Sequence, residues 1–191
     1  MCDAVYDRFL DHVVAGMQAL VVGDPREPAT HVGPLATAEA RATLDRQVRE
    51  SVALGARVAC VGVTPESLGY YYPPTVLVDV PMHSPAATQE LFGPVAAVFR
   101  VATRDDAIAL ANATPFGLGA SVWTDSATDA ARCIAELDVG MVFINDMVVS
   151  DARMPFGGIK RSGMGRELGA LGFREFTNPK TVRSHHLPSA S

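Results

Sequence analysis

Five glycines fall within the short segment 155–169, which follows an apolar stretch and runs into a short helical pattern. Because glycine loses more conformational freedom on folding than any other residue, the cluster predicts backbone at positive φ or in very close contact with another group. A phosphate cradle is one alternative. However, Gly163 is followed by Met164 instead of the Lys-Ser/Thr of a P-loop, and the Arg-Glu-Leu-Gly after Gly165 does not complete G-x-G-x-x-G. The segment therefore favours a tight connection shaped by packing.

The length, composition and net charge of the chain narrow the classes of function that it can have. At 191 residues one domain is the default, and an apolar fraction of 48% with a mean hydropathy of +0.16 suits either a large core or a surface awaiting a partner. The net charge of −5 disfavours a nucleic-acid partner. The uncharged runs are shorter than the roughly 20 apolar residues of a membrane span, so no membrane partner is expected.

Three scattered cysteines, Cys2, Cys60 and Cys133, form no C-x-x-C, and the five histidines show no metal-ligand spacing. The sequence therefore predicts no metal site. Unpaired cysteines fit a reducing compartment, and the first residues carry no basic region of the kind that opens a signal peptide. We expect a cytoplasmic protein.

Hydrophobic periodicity predicts alternating helices and strands. Asp3 is the predicted cap of the first helix, Thr37 caps the second, and Thr103 forms a capping pair with Asp106. The predicted helices cover residues 3–20, 37–55, 106–113 and 125–137, and the predicted strands cover 57–61, 75–80, 95–101, 119–124, 141–145 and 180–184. This alternation indicates an α/β fold with a mostly parallel sheet flanked by helices, in which the apolar run 140–144 is buried on both sides.

Several motifs recur in a fixed order along nearly the whole chain. They are Val5-Tyr6-Asp7, Val22-Gly23-Asp24-Pro25, Gly33-Pro34-Leu35, Glu90-Leu91-Phe92-Gly93-Pro94-Val95, Asn112-x-Thr114-x-Phe116-Gly117-Leu118, Pro155-Phe156-Gly157-Gly158-x-Lys160-x-Ser162-Gly163-x-Gly165-Arg166-Glu167 and Phe176-x-x-x-Lys180-Thr181-Val182. In this order they resemble the C-terminal part of the NAD(P)-dependent aldehyde dehydrogenase superfamily. The pattern of the loop from Asn145 to Met154 is most similar to that of its succinate-semialdehyde dehydrogenases.

That resemblance implies a domain arrangement. Residues 1–177 would form part of an aldehyde dehydrogenase catalytic domain, and residues 178–191 a C-terminal oligomerisation strand with a polar tail. In the family this strand joins a sheet across subunits, so a homo-oligomer is expected. The family's N-terminal dinucleotide-binding domain is expected to be absent from this chain.

The resemblance also assigns binding residues. Glu90 would accept hydrogen bonds from the hydroxyls of the nicotinamide ribose, since two carboxylate oxygens suit a vicinal diol, and Phe92 would pack near the nicotinamide ring. Without the resemblance, an ordinary surface carboxylate is the favoured interpretation of Glu90. The cofactor is expected to be NAD or NADP, with weak or absent binding by this chain alone.

The loop 145–154 would contribute to the substrate tunnel. Ser150 lies where succinate-semialdehyde dehydrogenases hold the distal carboxylate of the substrate, and a hydroxyl donor to a carboxylate is a charge-assisted bond. Phe156 would line the tunnel. Arg153 could add positive charge there, although a solvated loop arginine is the simpler interpretation. The expected partner is a small aldehyde.

Aldehyde oxidation of this kind needs a thiolate nucleophile. Cys2 lacks the flanking residues of the family cysteine, Cys60 lies in a buried strand pattern and Cys133 in a packed helix pattern, so no residue is assigned as catalytic. Asn145, at a strand end, is expected to cap backbone groups. The sequence therefore predicts a fragment that is inactive alone. The alternative function is a non-catalytic assembly module that pairs through its C-terminal strand.

Overall fold

The computed structural model describes residues 1–66 and 69–185. The chain divides into two compact units, residues 1–114 and the residues from Pro115 onwards. The helices are α1 (Asp3–Gln18), α2 (Ala38–Ala53), α3 (Pro85–Thr88), α4 (Arg104–Asn112), α5 (Ala127–Glu136) and α6 (Gly169–Glu175), and the strands are β1 (Arg57–Val61), β2 (Thr75–Val78), β3 (Val95–Ala97), β4 (Phe116–Gly117), β5 (Gly119–Val122), β6 (Met141–Ile144) and β7 (Ile159–Lys160).

The first unit is built around β2. This strand pairs antiparallel with β1 and parallel with β3, and all four of its residues are buried. Successive side chains of a strand point to opposite faces. Leu77 accordingly joins a cluster with Leu44 and Val48 of α2, while Val76 and Val78 join Tyr6 of α1 in a second cluster. Helices α1 and α2 thus pack against β2 through separate apolar clusters.

The N-caps predicted for helices of the first unit agree with the structure, with one exception. The Thr37 hydroxyl accepts from the Ala40 amide at 3.0 Å, and Thr103 and Asp106 form a complete capping box, so both predicted caps are confirmed. The predicted cap of α1 is wrong: Cys2 occupies the N-cap without a side-chain bond. Asp3 lies in the first turn, where its carboxylate forms an ion pair with Arg100 at 3.3 Å.

The second unit contains two separate pairs of strands. β5 and β6 are parallel and are joined through α5, whereas β4 and β7 are antiparallel. The residues of β6 are only half-buried in this chain, so the expectation of a strand covered on both faces holds for β2 instead. Exposed apolar side chains in this unit include Trp123, Ile134 and Met147.

A mostly parallel sheet is not confirmed. In the described residues, the parallel pairs β2–β3 and β5–β6 are matched by the antiparallel pairs β1–β2 and β4–β7, spread over three small sheets.

The predicted strand 180–184 is exposed and lacks strand structure in this chain, and residues 186–191 lie outside the described part. A strand that pairs across subunits has no partner backbone within one chain, so its oligomerisation role stays a prediction. The division into domains 1–177 and 178–191 also stays a prediction.

Candidate cofactor and substrate residues

Glu90 and Phe92 lie in the irregular segment between α3 and β3. Both side chains are exposed, and 74% of the Phe92 surface is accessible. An exposed carboxylate has two acceptor oxygens for neighbouring hydroxyls, and an exposed ring two residues along the chain offers a flat apolar face. The cofactor-binding role of Glu90 and Phe92 stays a prediction.

The backbone of this segment is fixed by its neighbours in the first unit. The carbonyl of Pro94 accepts from the Thr75 amide at 2.9 Å, which joins the end of the segment to β2. On the side of α2, the buried Gln47 amide donates to the Glu90 carbonyl at 3.1 Å. Sequence reasoning missed Gln47. The signal for it was a polar residue placed beside the apolar positions Leu44 and Val48 of an amphipathic helix.

Ser150 lies in the exposed loop that follows β6. The loop begins at Asn145, which takes a left-handed φ of 52° and exchanges two hydrogen bonds with the backbone of Thr124, at 2.8 and 2.9 Å. The predicted capping role of Asn145 is therefore confirmed. It joins the carboxyl ends of β5 and β6 at the point where the loop leaves the sheet.

Arg153 in the same loop is engaged by a near neighbour. Its guanidinium forms paired hydrogen bonds with the Asp151 carboxylate, with contacts of 2.9 Å from Nε and 2.5 Å from Nη2. These bonds lower the pKa of Asp151 and raise the pKa of Arg153. The simpler interpretation of Arg153 is favoured, because its charge is largely balanced within the loop.

Phe156 is half-buried and opens the glycine-rich segment. Its backbone exchanges two hydrogen bonds with Glu167, at 2.7 and 2.8 Å, and so closes the loop between them. The guanidinium of Arg166 donates to the carbonyls of Gly158 and Gly165 inside that loop. Positive φ at Gly157, together with the fit of Gly140 against it, confirms the predicted need for glycine. The close contacts come from the protein itself, as expected of a connection shaped by packing.

The three cysteines lie in different environments. Cys60 is buried in β1, as predicted. Burial and the nearby carboxylates of Asp129 and Glu136 raise the pKa of the Cys133 thiol, which disfavours the thiolate. The Cys2 thiol lies 3.9 Å from the Thr103 carbonyl, a contact in which the S–H donates.

Within residues 1–66 and 69–185, no group of three or more His, Cys, Asp or Glu side chains is arranged to hold a metal ion. No helix in the same residues has both the length and the apolar character to cross a bilayer.

Helices together with small mixed sheets place the chain in the α/β class. Comparison with known proteins gives its family: residues 2–182 match the aldehyde dehydrogenase family, and the chain belongs to it. Succinate-semialdehyde dehydrogenase [NADP(+)] 1 of Mycobacterium tuberculosis is 51% identical over 178 residues, which cover 93% of this chain and 39% of that protein.

Solved structures of aldehyde dehydrogenases are also similar to this chain. A succinic semialdehyde dehydrogenase from Streptococcus pyogenes, in complex with NADP+, is 35% identical with a TM-score of 0.87, covering 93% of this chain and 39% of that one. Lactaldehyde dehydrogenase from Escherichia coli is also 35% identical, with a TM-score of 0.85 and coverage of 90% and 36%. The chain thus spans well under half the length of the relatives it matches.

Proposed function

We propose that this chain contributes part of the catalytic domain of an NADP+-dependent succinate-semialdehyde dehydrogenase, which oxidises succinate semialdehyde to succinate. The observation that carries the proposal is the 51% identity with the M. tuberculosis enzyme over nearly the whole chain. A related lactaldehyde dehydrogenase shares the fold at lower identity, so the substrate follows from the closer relative and from the loop around Ser150.

On this proposal the first unit binds the nicotinamide half of the cofactor. The bound dinucleotide supplies the hydride acceptor for the oxidation. The Glu90 carboxylate accepts hydrogen bonds from the ribose hydroxyls, and its exposure leaves both oxygens accessible to them. The exposed Phe92 ring packs beside the nicotinamide and excludes water from that face.

The second unit orients the substrate. The Ser150 hydroxyl donates to the distal carboxylate of succinate semialdehyde, a charge-assisted bond that an aldehyde without the carboxylate lacks. The half-buried Phe156 ring lines the apolar part of the tunnel. Arg153 has no assigned role, since its guanidinium is paired with Asp151.

The reactive thiolate is not assigned to this chain. Cys60 is buried, the Cys133 thiol has a raised pKa, and the Cys2 thiol donates to a backbone carbonyl. We therefore propose that the 191-residue chain has no aldehyde oxidation activity by itself. Its residues act once a nucleophile and a dinucleotide-binding domain are supplied.

A chimera tests the proposal. The 178 matching residues of the M. tuberculosis enzyme are replaced by those of this chain, and NADP+-dependent oxidation of succinate semialdehyde is measured. We expect an active chimera in which Glu90→Gln raises the KM for NADP+ about tenfold, because one hydrogen bond to a charged group is lost. Ser150→Ala should raise the KM for succinate semialdehyde by a similar factor.

Each variant is the control for the other, since each should leave the other's KM unchanged. Butanal has the same chain length without the carboxylate, and its oxidation should be insensitive to Ser150→Ala. The unfused 191-residue chain, assayed in parallel, should give no turnover above a variant with all three cysteines changed to alanine. A folded but inactive chimera, or equal effects of Ser150→Ala on both aldehydes, would contradict the proposal.

We also propose that residues 178–184 pair with another subunit and make the assembled protein a homo-oligomer. Phe176 and Val182 are 94% and 79% exposed, which suits a segment that is covered by a partner. Light scattering measures the molar mass of the particle in solution. Deletion of all residues after Thr177 should lower this mass from that of an oligomer to that of a monomer. An unchanged mass would count against this role.

A further inference from the structure

One face of α2 runs alongside the segment that carries Glu90. Leu44, Gln47 and Ser51 lie at positions i, i+3 and i+7 of the helix and therefore share a face. Their partners follow in reverse order: Ser51 contacts Ala86, Gln47 contacts Gln89 and Glu90, and Leu44 lies against Gly93. The helix thus makes successive contacts along residues 86–93.

The first contact is a buried hydroxyl. Ser51 is fully buried, and its Oγ donates to the Gln47 carbonyl at 2.7 Å and accepts from the Ala86 amide at 2.9 Å. This arrangement ties the start of α3 to α2 and leaves the Ser51 hydroxyl with both a donor and an acceptor as partners. Gln47, one turn before Ser51 on α2, therefore lies beside the segment that follows α3.

The second contact comes from Gln47, a neutral polar side chain that is only 6% exposed. Its Nε2 donates to the Gln89 Oε1 at 3.0 Å and to the Glu90 carbonyl at 3.1 Å. A side-chain amide nitrogen has two N–H groups, so both are used. The Glu90 side chain itself is exposed, and Gln47 contacts this residue through its backbone carbonyl.

We propose that Gln47 is the positioning residue that fixes Glu90 for the nicotinamide ribose, an inference that rests on the proposed function of Glu90. Without the Gln47 amide, the Gln89 Oε1 and the Glu90 carbonyl lose their donor in a part-buried place, and the segment between α3 and β3 moves to find water. The carboxylate moves with it.

Hydrogen exchange of the 191-residue chain tests whether Gln47 holds the segment between α3 and β3 in place. The reporters are the amides of Gln89, Gly93 and Val95, which are hydrogen-bonded within or beside the segment. Gln47→Met keeps the length of the side chain and removes both N–H groups, so these amides should exchange about tenfold faster, the equivalent of one lost hydrogen bond. Gln47→His retains an N–H donor and should restore most of the protection.

Two controls accompany the exchange measurement. Gln18→Met removes the same amide from an exposed helix position and should leave exchange across 86–95 unchanged. The exchange rates of the α4 amides should be unchanged in all of these variants. Unchanged exchange in Gln47→Met, or a failure of Gln47→His to restore protection that Gln47→Met loses, would overturn the inference.

The KM for NADP+ of the chimera with the M. tuberculosis enzyme tests whether Gln47 positions Glu90, since the separate chain is expected to bind the cofactor weakly or not at all. Gln47→Met should raise this KM toward the value of Glu90→Gln, Gln47→His should return it, and the KM for succinate semialdehyde should stay unchanged in both variants. An unchanged KM for NADP+ in Gln47→Met would overturn the positioning role. An unchanged KM for NADP+ in Glu90→Gln would refute the ribose role of Glu90, which is a failure of the proposed function, and the exchange result then decides whether Gln47 holds the segment.

Discussion

Gly140→Ala is expected to destabilise the second unit by about 3 kcal/mol or more. A Cβ on Gly140 would overlap the carbonyl oxygen of Gly157 and lie 2.8 Å from the Gly158 Cα. Both are backbone atoms, so no side chain can turn away to make room. The Gly140 amide also donates to the Gly117 carbonyl at 3.0 Å, so relief by moving residue 140 would break a bond to β4.

Urea unfolding followed by the fluorescence of Trp123, the single tryptophan of the chain, measures this loss within the second unit. Gly16→Ala is the matched control. It lies inside α1 with no atom within 4 Å of the new Cβ, so alanine should stabilise the first unit by roughly 0.5–1 kcal/mol, measured by circular dichroism. An unchanged midpoint for Gly140→Ala would mean that residues 157–158 do not pack against residue 140.

Gly93→Ala should cost about 1–3 kcal/mol in the first unit. The new Cβ would overlap Cδ2 of Leu44 and lie 3.3 Å from Cδ2 of Leu35. Leu44 is almost fully buried among Val48, Leu77 and the rest of its cluster, so it has little room to change rotamer. The substitution therefore displaces the segment that carries Glu90, and we expect the binding of nicotinamide ribose to weaken with it.

A double-mutant cycle isolates this contact. Leu44→Ala alone should cost about 2–5 kcal/mol, since it leaves a cavity, but it removes the atom that Gly93→Ala overlaps. The double variant should therefore be more stable than the sum of the single losses predicts, by about 0.5–3 kcal/mol in urea unfolding. Additivity to within about 0.5 kcal/mol would show that Gly93 and Leu44 do not meet in the folded chain.

The sequence predicted local features of the site well because they depend on neighbouring residues. Thr37 and Thr103 cap helices through amides three residues away. Asn145 follows an apolar strand, and its side-chain amide is suited to the backbone groups left unpaired at a strand end. The glycines of segment 155–169 indicated close packing, because few other reasons require so many residues without a side chain.

Sequence reasoning did not find the contact between Gln47 and Glu90. The two residues are 43 positions apart, and the hydrogen bond ends on a backbone carbonyl, which every residue has. No residue type at position 90 therefore reports it. A glutamine on the buried side of α2 is the local sign, but it does not name the group that it meets.

The sequence by itself determined the family, the order of most helices and strands, the caps Thr37 and Thr103, and the need for glycine in segment 155–169. These follow from short-range patterns of side chains. The tertiary structure alone decided that β2, and not β6, is the strand covered on both faces of its sheet, and that β4 pairs antiparallel with β7. Strand partners are chosen by contacts between distant residues, whose backbone hydrogen bonds leave no mark on the sequence.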